Sequence, residues 1–226
     1  MPRRRPSSRE WLREHRRDPY VQAAARDGYR SRAAYKLLEI HARPPANLLR
    51  PGMAVVDLGA APGGWTQVAL QHVGPQGIIV AVDLLAMDPL SGAEIIQGDF
   101  LQAATLLEVQ RVLGRPADLL LSDMAPNMSG IKAVDQPRGE LLAEAALEFA
   151  AAVLKPLGAA VIKLFDGPGF HDLVRGARIA FGQVKVVKPR ASRGRSPEHY
   201  LVCQGFRASP SHLEKDHACH QAGVHI

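Results

Sequence analysis

The sequence predicts an α/β fold: a seven-stranded, mostly parallel sheet with helices on both faces and the last strand antiparallel. Three observations lead there. Short runs rich in β-branched and aliphatic residues alternate with segments whose apolar residues recur at helical spacing. A Gly-rich turn follows the first such run, as it does where a strand feeds a helix in doubly wound sheets. The final two strand-like runs lack a clear intervening helix, so the last is expected to insert antiparallel beside its predecessor.

Taken in order, Pro51-Gly52 opens a first strand over Ala54–Leu58, and a helix is expected over Trp65–Val73. Strands follow at Ile78–Asp83 and Ile95–Gln97, then a helix at Leu106–Leu113. Pro116 precedes a fourth strand, Leu119–Ser122, and a helix is read over Glu140–Leu154. The strand Ala159–Phe165, the helix Phe170–Phe181 and the strands Val184–Val187 and Tyr200–Gln204 complete the pattern.

With 226 residues, 46% of them hydrophobic, the chain has enough for one good core and little room for a second. The expected organisation is a basic arm over residues 1–30, one domain over 31–207, and a disordered tail over 208–226. No run approaches the roughly 20 apolar residues of a membrane span, and Arg3, Arg4 and Arg5 are not followed by a signal-peptide core, so a soluble cytoplasmic protein is expected. Cys203 and Cys219 form neither a disulfide framework nor a metal-ligand spacing. His212, His217, Cys219, His220 and His225 in the tail fit no zinc template, and no metal is expected.

The net charge of +6 is unevenly spread: residues 1–36 hold eleven Lys/Arg against four Asp/Glu, and the other 190 hold seventeen against eighteen. A second basic cluster, Lys185, Lys188, Arg190, Arg193 and Arg195, falls within eleven residues without an acid. A lone basic tail is as often a solvated appendage as a binding arm; two separate basic segments favour a nucleic acid partner.

The run Val55-Val56-Asp57-Leu58-Gly59-Ala60-Ala61-Pro62-Gly63-Gly64-Trp65 places glycines after the first strand, where the backbone can approach a nucleotide-like ligand. Glycines serve ordinary turns about as often. The spacing is not the G-x-G-x-x-G of dinucleotide sites, which disfavours an NAD-linked oxidoreductase. Asp83, Asp99 and Asp123 each close a strand. Singly, each could be a turn former; at the carboxyl edge of one sheet they form a ligand rim, with Asp83 suited to a ribose diol and Asp99 lying near where an adenine would sit. Lys163 interrupts the apolar strand Ala160-Val161-Ile162-Lys163-Leu164-Phe165, which points either to a functional amine or to a lysine reaching water from the sheet rim.

These motifs, together with Ser31-Arg32-Ala33-Ala34-Tyr35-Lys36-Leu37, Ser122-Asp123-Met124-Ala125-Pro126-Asn127-Met128-Ser129-Gly130 and Ser192-Arg193-Gly194-Arg195-Ser196-Pro197-Glu198, resemble the FtsJ family of ribose 2′-O-methyltransferases from Trp11 to about Phe206. The resemblance implies a Rossmann-like methyltransferase fold dependent on S-adenosylmethionine (AdoMet). It implies a catalytic tetrad of Lys36, Asp123, Lys163 and Glu198, with Gly63, Trp65, Asp83, Asp99 and Asp123 contacting AdoMet. In one branch of the family the substrate is a uridine ribose in the A-loop of large-subunit ribosomal RNA, presented on the assembling subunit; other relatives modify transfer RNA or messenger-RNA caps. Ribosomal RNA in the large subunit is therefore the expected partner, with no membrane and no protein partner, and the chain is expected to act as a monomer. Pro197 departs from the commonly basic residue before the tetrad glutamate.

Methyl transfer to an alcohol needs alignment of oxygen, methyl carbon and sulfur, and stabilisation of charge developing on oxygen. Lys163 is the expected acceptor of the 2′-proton, or else an ammonium that orients and polarises the oxygen. A non-catalytic RNA-binding assembly factor would keep the basic surfaces, yet would not need Lys163 and Asp123 together.

Overall fold

The computed structural model describes residues 17–43, 48–127, 129–194 and 196–208. Residues 1–16 of the arm, Met128, Arg195 and the tail beyond 208, with its histidines, lie outside the described residues.

The chain runs α1 (Pro19–Asp27), α2 (Ala34–Ala42), β1 (Ala54–Leu58), α3 (Gly64–Val73), β2 (Ile78–Asp83), β3 (Glu94–Gln97), α4 (Ala103–Leu113), β4 (Ala117–Ser122), α5 (Lys132–Val153), β5 (Leu154–Phe165), α6 (Phe170–Ala180), β6 (Phe181–Val187) and β7 (Glu198–Phe206). The strands form one seven-stranded sheet in the order β3-β2-β1-β4-β5-β7-β6. β7 is antiparallel to both neighbours, and the other pairings, β3 to β5, are parallel. The expected antiparallel insertion of the last strand is therefore present.

Successive residues of a strand face opposite sides, so β1 contributes to two cores at once. Val56 and Leu58 pack with Val109, Phe149, Ile162 and Leu201 under α4, α5 and α6. Val55 packs with Leu37, Trp65, Val68, Leu121 and Tyr200 under α2 and α3. β1 and β4 are buried along their whole length, which is why both read as continuous apolar runs rather than alternating ones. At the amino-terminal rim, the buried Asp118 accepts from Ala54 N at 2.7 Å and pairs with Lys155 and Arg115, so the carboxylate that opens β4 also anchors the start of β1.

Three differences from the sequence reading have local causes. α1 lies within the expected arm: Asp18 caps it, its side chain accepting from Tyr20 N at 3.0 Å, Pro19 stands in its first turn, and Gly28 ends it at φ 77°. α5 begins eight residues before Glu140 and carries Pro137 inside it; a proline so near a helix start removes one backbone bond without ending the helix. β5 extends five residues upstream of Ala159, across a register irregularity between Ala117 and Leu119 of its neighbour.

Candidate active site

Four parallel strands end side by side at the carboxyl rim, and each delivers a group to one cavity. β1 runs into Gly59, whose φ is 70°; a Cβ there would sit 2.3 Å from Met124 Cγ, so the first turn and the loop after β4 meet where only glycine fits. β2 ends in Asp83, whose two carboxylate oxygens accept from Ala61 N at 2.9 Å and Leu85 N at 2.8 Å. After β3, Asp99 accepts from Leu101 N at 3.0 Å. Both acids thus order their own turns, and both also line a cavity of about 510 Å³ with Gly59, Phe100, Asp123 and Met124. The turn-forming role that spacing allowed is thus present in both, and their place in the cavity lining is compatible with a ligand rim.

Gly63 and Trp65 stand apart from that lining. Gly63 adopts φ 110° as the residue preceding α3. The Trp65 side chain is 2% exposed, donates from Nε1 to Ala33 O at 2.8 Å, and stacks 5.6 Å from the Tyr200 ring. Its indole is a core group that joins α3 to α2, leaving only its backbone in the first turn of α3 to meet a ligand.

The four tetrad residues converge, although they come from α2, the end of β4, β5 and the start of β7. Lys163 Nζ donates to the Asp123 carbonyl at 2.8 Å and lies 2.7 Å from Asp123 Oδ1. Lys36 Nζ lies 3.7 Å from the same Oδ1 and 3.0 Å from Glu198 Oε1. Both lysines are 8% exposed, a burial that charged groups sustain only when paired. Burial opposes ionisation of Asp123, but Lys163 and Lys36 outweigh it and hold the carboxyl below its ordinary value. Glu198 is lowered in the same way, with burial again opposed chiefly by Lys36 and Lys163. Pro197 leaves that carboxylate available: its carbonyl accepts from Asp166 N at 2.9 Å, tying the loop before β7 to the end of β5.

Two members of this cluster were not singled out from the sequence. Tyr200 is fully buried, its hydroxyl donates to Asp123 Oδ1 at 2.5 Å, and its ring lies 5.7 Å from Lys36 Nζ. Burial first, then Asp123 and Glu198, push its hydroxyl well above the ordinary tyrosine value. Strand alternation carries the signal, since Tyr200 lies two residues past Glu198 on one face of β7. The second is Asp57, 1% exposed, which accepts from Thr66 Oγ1 at 2.7 Å on one oxygen while the other is buried without a partner. Burial raises this carboxyl to about 7, with Asp123 and Asp83 adding to the effect.

The basic segments meet beside the tetrad. Asp18 at the start of α1 pairs with Arg32 at 2.6 Å and with Arg193 at 3.5 Å. Glu39 of α2 accepts from Arg190 N at 2.6 Å and Ala191 N at 2.8 Å. The loop between β6 and β7, which carries Lys188, Arg190 and Arg193 of the second basic cluster, is thereby fastened to the helix that carries Lys36.

The cavity suits AdoMet. Its volume falls within the usual range for small-ligand sites. Carboxylates at the ends of β2 and β3 match ribose hydroxyls and an adenine edge, and Gly59 keeps its near wall free of a side chain. Among the described residues no cluster of His, Cys, Asp or Glu is arranged to hold a metal, and no helix is long and apolar enough to cross a membrane. Sheet order, the antiparallel seventh strand and this rim together define an AdoMet-dependent methyltransferase of Rossmann-like fold. The FtsJ-like methyltransferase family model matches residues 29–206, and the chain belongs to that family.

Among curated relatives, ribosomal RNA large subunit methyltransferase E of Magnetococcus marinus is 58% identical over 214 residues, covering 92% of this chain and all of the relative. The protein of the same name from Alkalilimnicola ehrlichii is 55% identical over 205 residues, covering 90% of this chain and 97% of its own. Among solved structures, a Plasmodium falciparum protein described as a ribosomal RNA methyltransferase superposes with a TM-score of 0.71 at 26% identity, over 80% of this chain and all of that one. Human methyltransferase-like protein 13, solved with S-adenosylhomocysteine, shares the fold at a TM-score of 0.52 and 20% identity, over 81% of this chain and 87% of its own.

Proposed function

We propose that this enzyme methylates a uridine ribose 2′-hydroxyl in large-subunit ribosomal RNA, acting in the cytoplasm as a monomer on the assembling subunit. The observation that carries the chemistry is the placement of both lysine Nζ atoms against one carboxylate oxygen of Asp123, at the edge of the nucleoside-sized cavity. The RNA class rests on the relatives, which cover nearly the whole chain at more than half identity.

AdoMet supplies an electrophilic methyl group on a sulfonium sulfur. Asp83 and Asp99 would hold its nucleoside end, Asp123 borders both cavity and tetrad, and the backbone at Gly63 and Trp65 would be left to meet its amino-acid end. Lys163, as the neutral amine, would accept the 2′-proton released when the ribose oxygen bonds to the methyl carbon supplied by AdoMet, whose sulfur would leave with the carbon–sulfur electron pair. Two of the outward positions on Lys163 Nζ are taken by the Asp123 carbonyl and carboxylate, which fixes the direction of the third. Lys36, held by Glu198, stabilises charge developing on the ribose oxygen. Lys188, Arg190 and Arg193, on the loop leading to Glu198, contact phosphates and set the register of the RNA over Lys163.

The test is labelled-methyl transfer from AdoMet to large ribosomal subunits taken from a methylation-deficient strain, followed by digestion to nucleosides. Label in 2′-O-methyluridine is the expected result. Label on transfer RNA or capped messenger RNA in preference to subunits would replace the substrate, and binding to subunits without transfer would make this an assembly factor.

A further inference from the structure

Arg30 belongs to the basic arm by sequence, where it counts toward a surface for phosphates. Its guanidinium instead faces the molecule's own backbone. Nη1 donates to Pro62 O at 3.2 Å and Asp88 O at 2.7 Å, and Nη2 donates to Pro89 O at 2.8 Å. Pro62 lies in the Gly-rich turn after β1, and Asp88 and Pro89 lie in the loop between β2 and β3. These carbonyls are outside regular structure and need donors from elsewhere. One planar fork with five N–H groups serves three of them, a geometry that an ammonium cannot reproduce.

Two further contacts set the side chain in place. Arg30 N donates to Gln67 Oε1 at 2.7 Å, and Gln67 Nε2 donates to Gly28 O at 2.9 Å, so α3 holds the backbone of this segment. The stem lies against Gly63, where a Cβ would approach Arg30 Cδ and Nη1 at 3.2 Å and Leu90 Cδ1 at 2.9 Å. The loops that Arg30 joins are the same two that Asp83 joins from the cavity side, through Ala61 N and Leu85 N. The carboxylate binds their N–H groups and the guanidinium binds their carbonyls.

We propose that Arg30 is a positioning residue for the methyl-donor pocket, fixing the separation of the Gly-rich turn and the β2–β3 loop, rather than a phosphate contact on the RNA face. The proposal rests on the reading of that pocket as the AdoMet site. Without the guanidinium the hydrogen bonds of Asp83 and the contact of Leu90 with Gly63 are left to join the two loops, and AdoMet must order them further as it binds, which weakens its affinity. Chemistry in the filled site is unaffected, because no tetrad residue touches Arg30.

The experiment compares the full-length parent with Arg30→Met, Arg30→Lys and, as a contrast on the basic loop, Arg190→Met. Calorimetry measures AdoMet binding, kinetics separate KM for AdoMet from kcat, and RNA binding is followed across salt concentrations. Arg30→Met should raise the AdoMet Kd and KM at least tenfold, with kcat at saturating AdoMet within about threefold of the parent and the RNA salt slope unchanged. Arg30→Lys, retaining one donor group, should recover part of the loss, a rescue that generic destabilisation would not give. Arg190→Met should show the opposite split, weaker RNA binding and unchanged AdoMet affinity. AdoMet affinity within twofold of the parent in Arg30→Met, or a salt slope shallower by about one phosphate contact, about 0.7 on single-stranded RNA, would overturn the proposal. Failure of the parent itself to bind AdoMet would instead remove the reading of the pocket on which it rests.

Discussion

Asp57 is the one carboxyl of the rim that burial raises to about 7, and this sets a pH dependence opposite to that of its neighbours. A carboxyl whose folded value exceeds its ordinary 3.8 prefers its proton in the native state, so ionising it costs stability as pH climbs from about 4 through 7. Asp123 and Glu198, lowered by their lysines, contribute stability that is present above their ordinary values of 3.8 and 4.5 and lost as pH falls below them. Asp57→Asn keeps an acceptor for Thr66 and cannot ionise. In the absence of ligand it should match the parent near pH 4 and exceed it at pH 8 by about 2 kcal/mol or more, since each pKa unit is worth about 1.4 kcal/mol. Urea melts of both proteins at the two pH values measure this; a difference that does not change with pH would show that Asp57 is ionised throughout.

At the scale of elements, Glu39 is the α2 carboxylate that holds the loop between β6 and β7, beside Arg32 and Arg43 at the two ends of that helix, which donate to Ala191 O and Lys188 O. Glu39 accepts from two adjacent backbone N–H groups of that loop and from the Tyr20 hydroxyl of α1 at 3.4 Å. Glu39→Ala removes these acceptors without touching the tetrad or the cavity. RNA affinity should fall by about tenfold, from lost ordering of the loop, while AdoMet affinity stays within twofold; parallel binding measurements decide it, and equal losses for both ligands would mean that α2 itself had shifted. The sheet was legible because β1, β2, β4 and β5 are strongly apolar and bounded by Gly, Pro and Asp. The sequence reading contains no α2, since its apolar stripe of Ala34, Leu37 and Ile40 is short and a buried lysine, Lys36, sits within it. α1 buries only Ala24, so no apolar period marked it, although the Asp18-Pro19 start and the Gly28 stop were visible signals. Pro137 concealed the first turns of α5 in the same way, by resembling a terminator.

Over the whole molecule, the fold brings residues 36, 123, 163 and 198 to one point, using α2 on one side of the sheet and the reversed β7 to close the other. The tetrad, Asp83 and Asp99 were nameable in advance because motifs carried them, whereas Tyr200, Asp57 and Arg30 acquire their surroundings only through long-range packing. Arg30 shows why charge alone misleads: an arginine inside a basic run can be used up by carbonyls of distant loops that no local pattern reveals. The same convergence makes the central claim testable through one side chain. Lys163→Ala removes the amine and leaves the cavity-lining residues unchanged. Single-turnover methyl transfer to large subunits at saturating AdoMet, with calorimetry on the same preparation, should show a rate lower by about a thousandfold, within the usual range for a proton-transfer group, and AdoMet affinity within threefold of the parent. Transfer at close to the parental rate, with AdoMet bound normally, would contradict the assignment of Lys163 as the group that takes the 2′-proton.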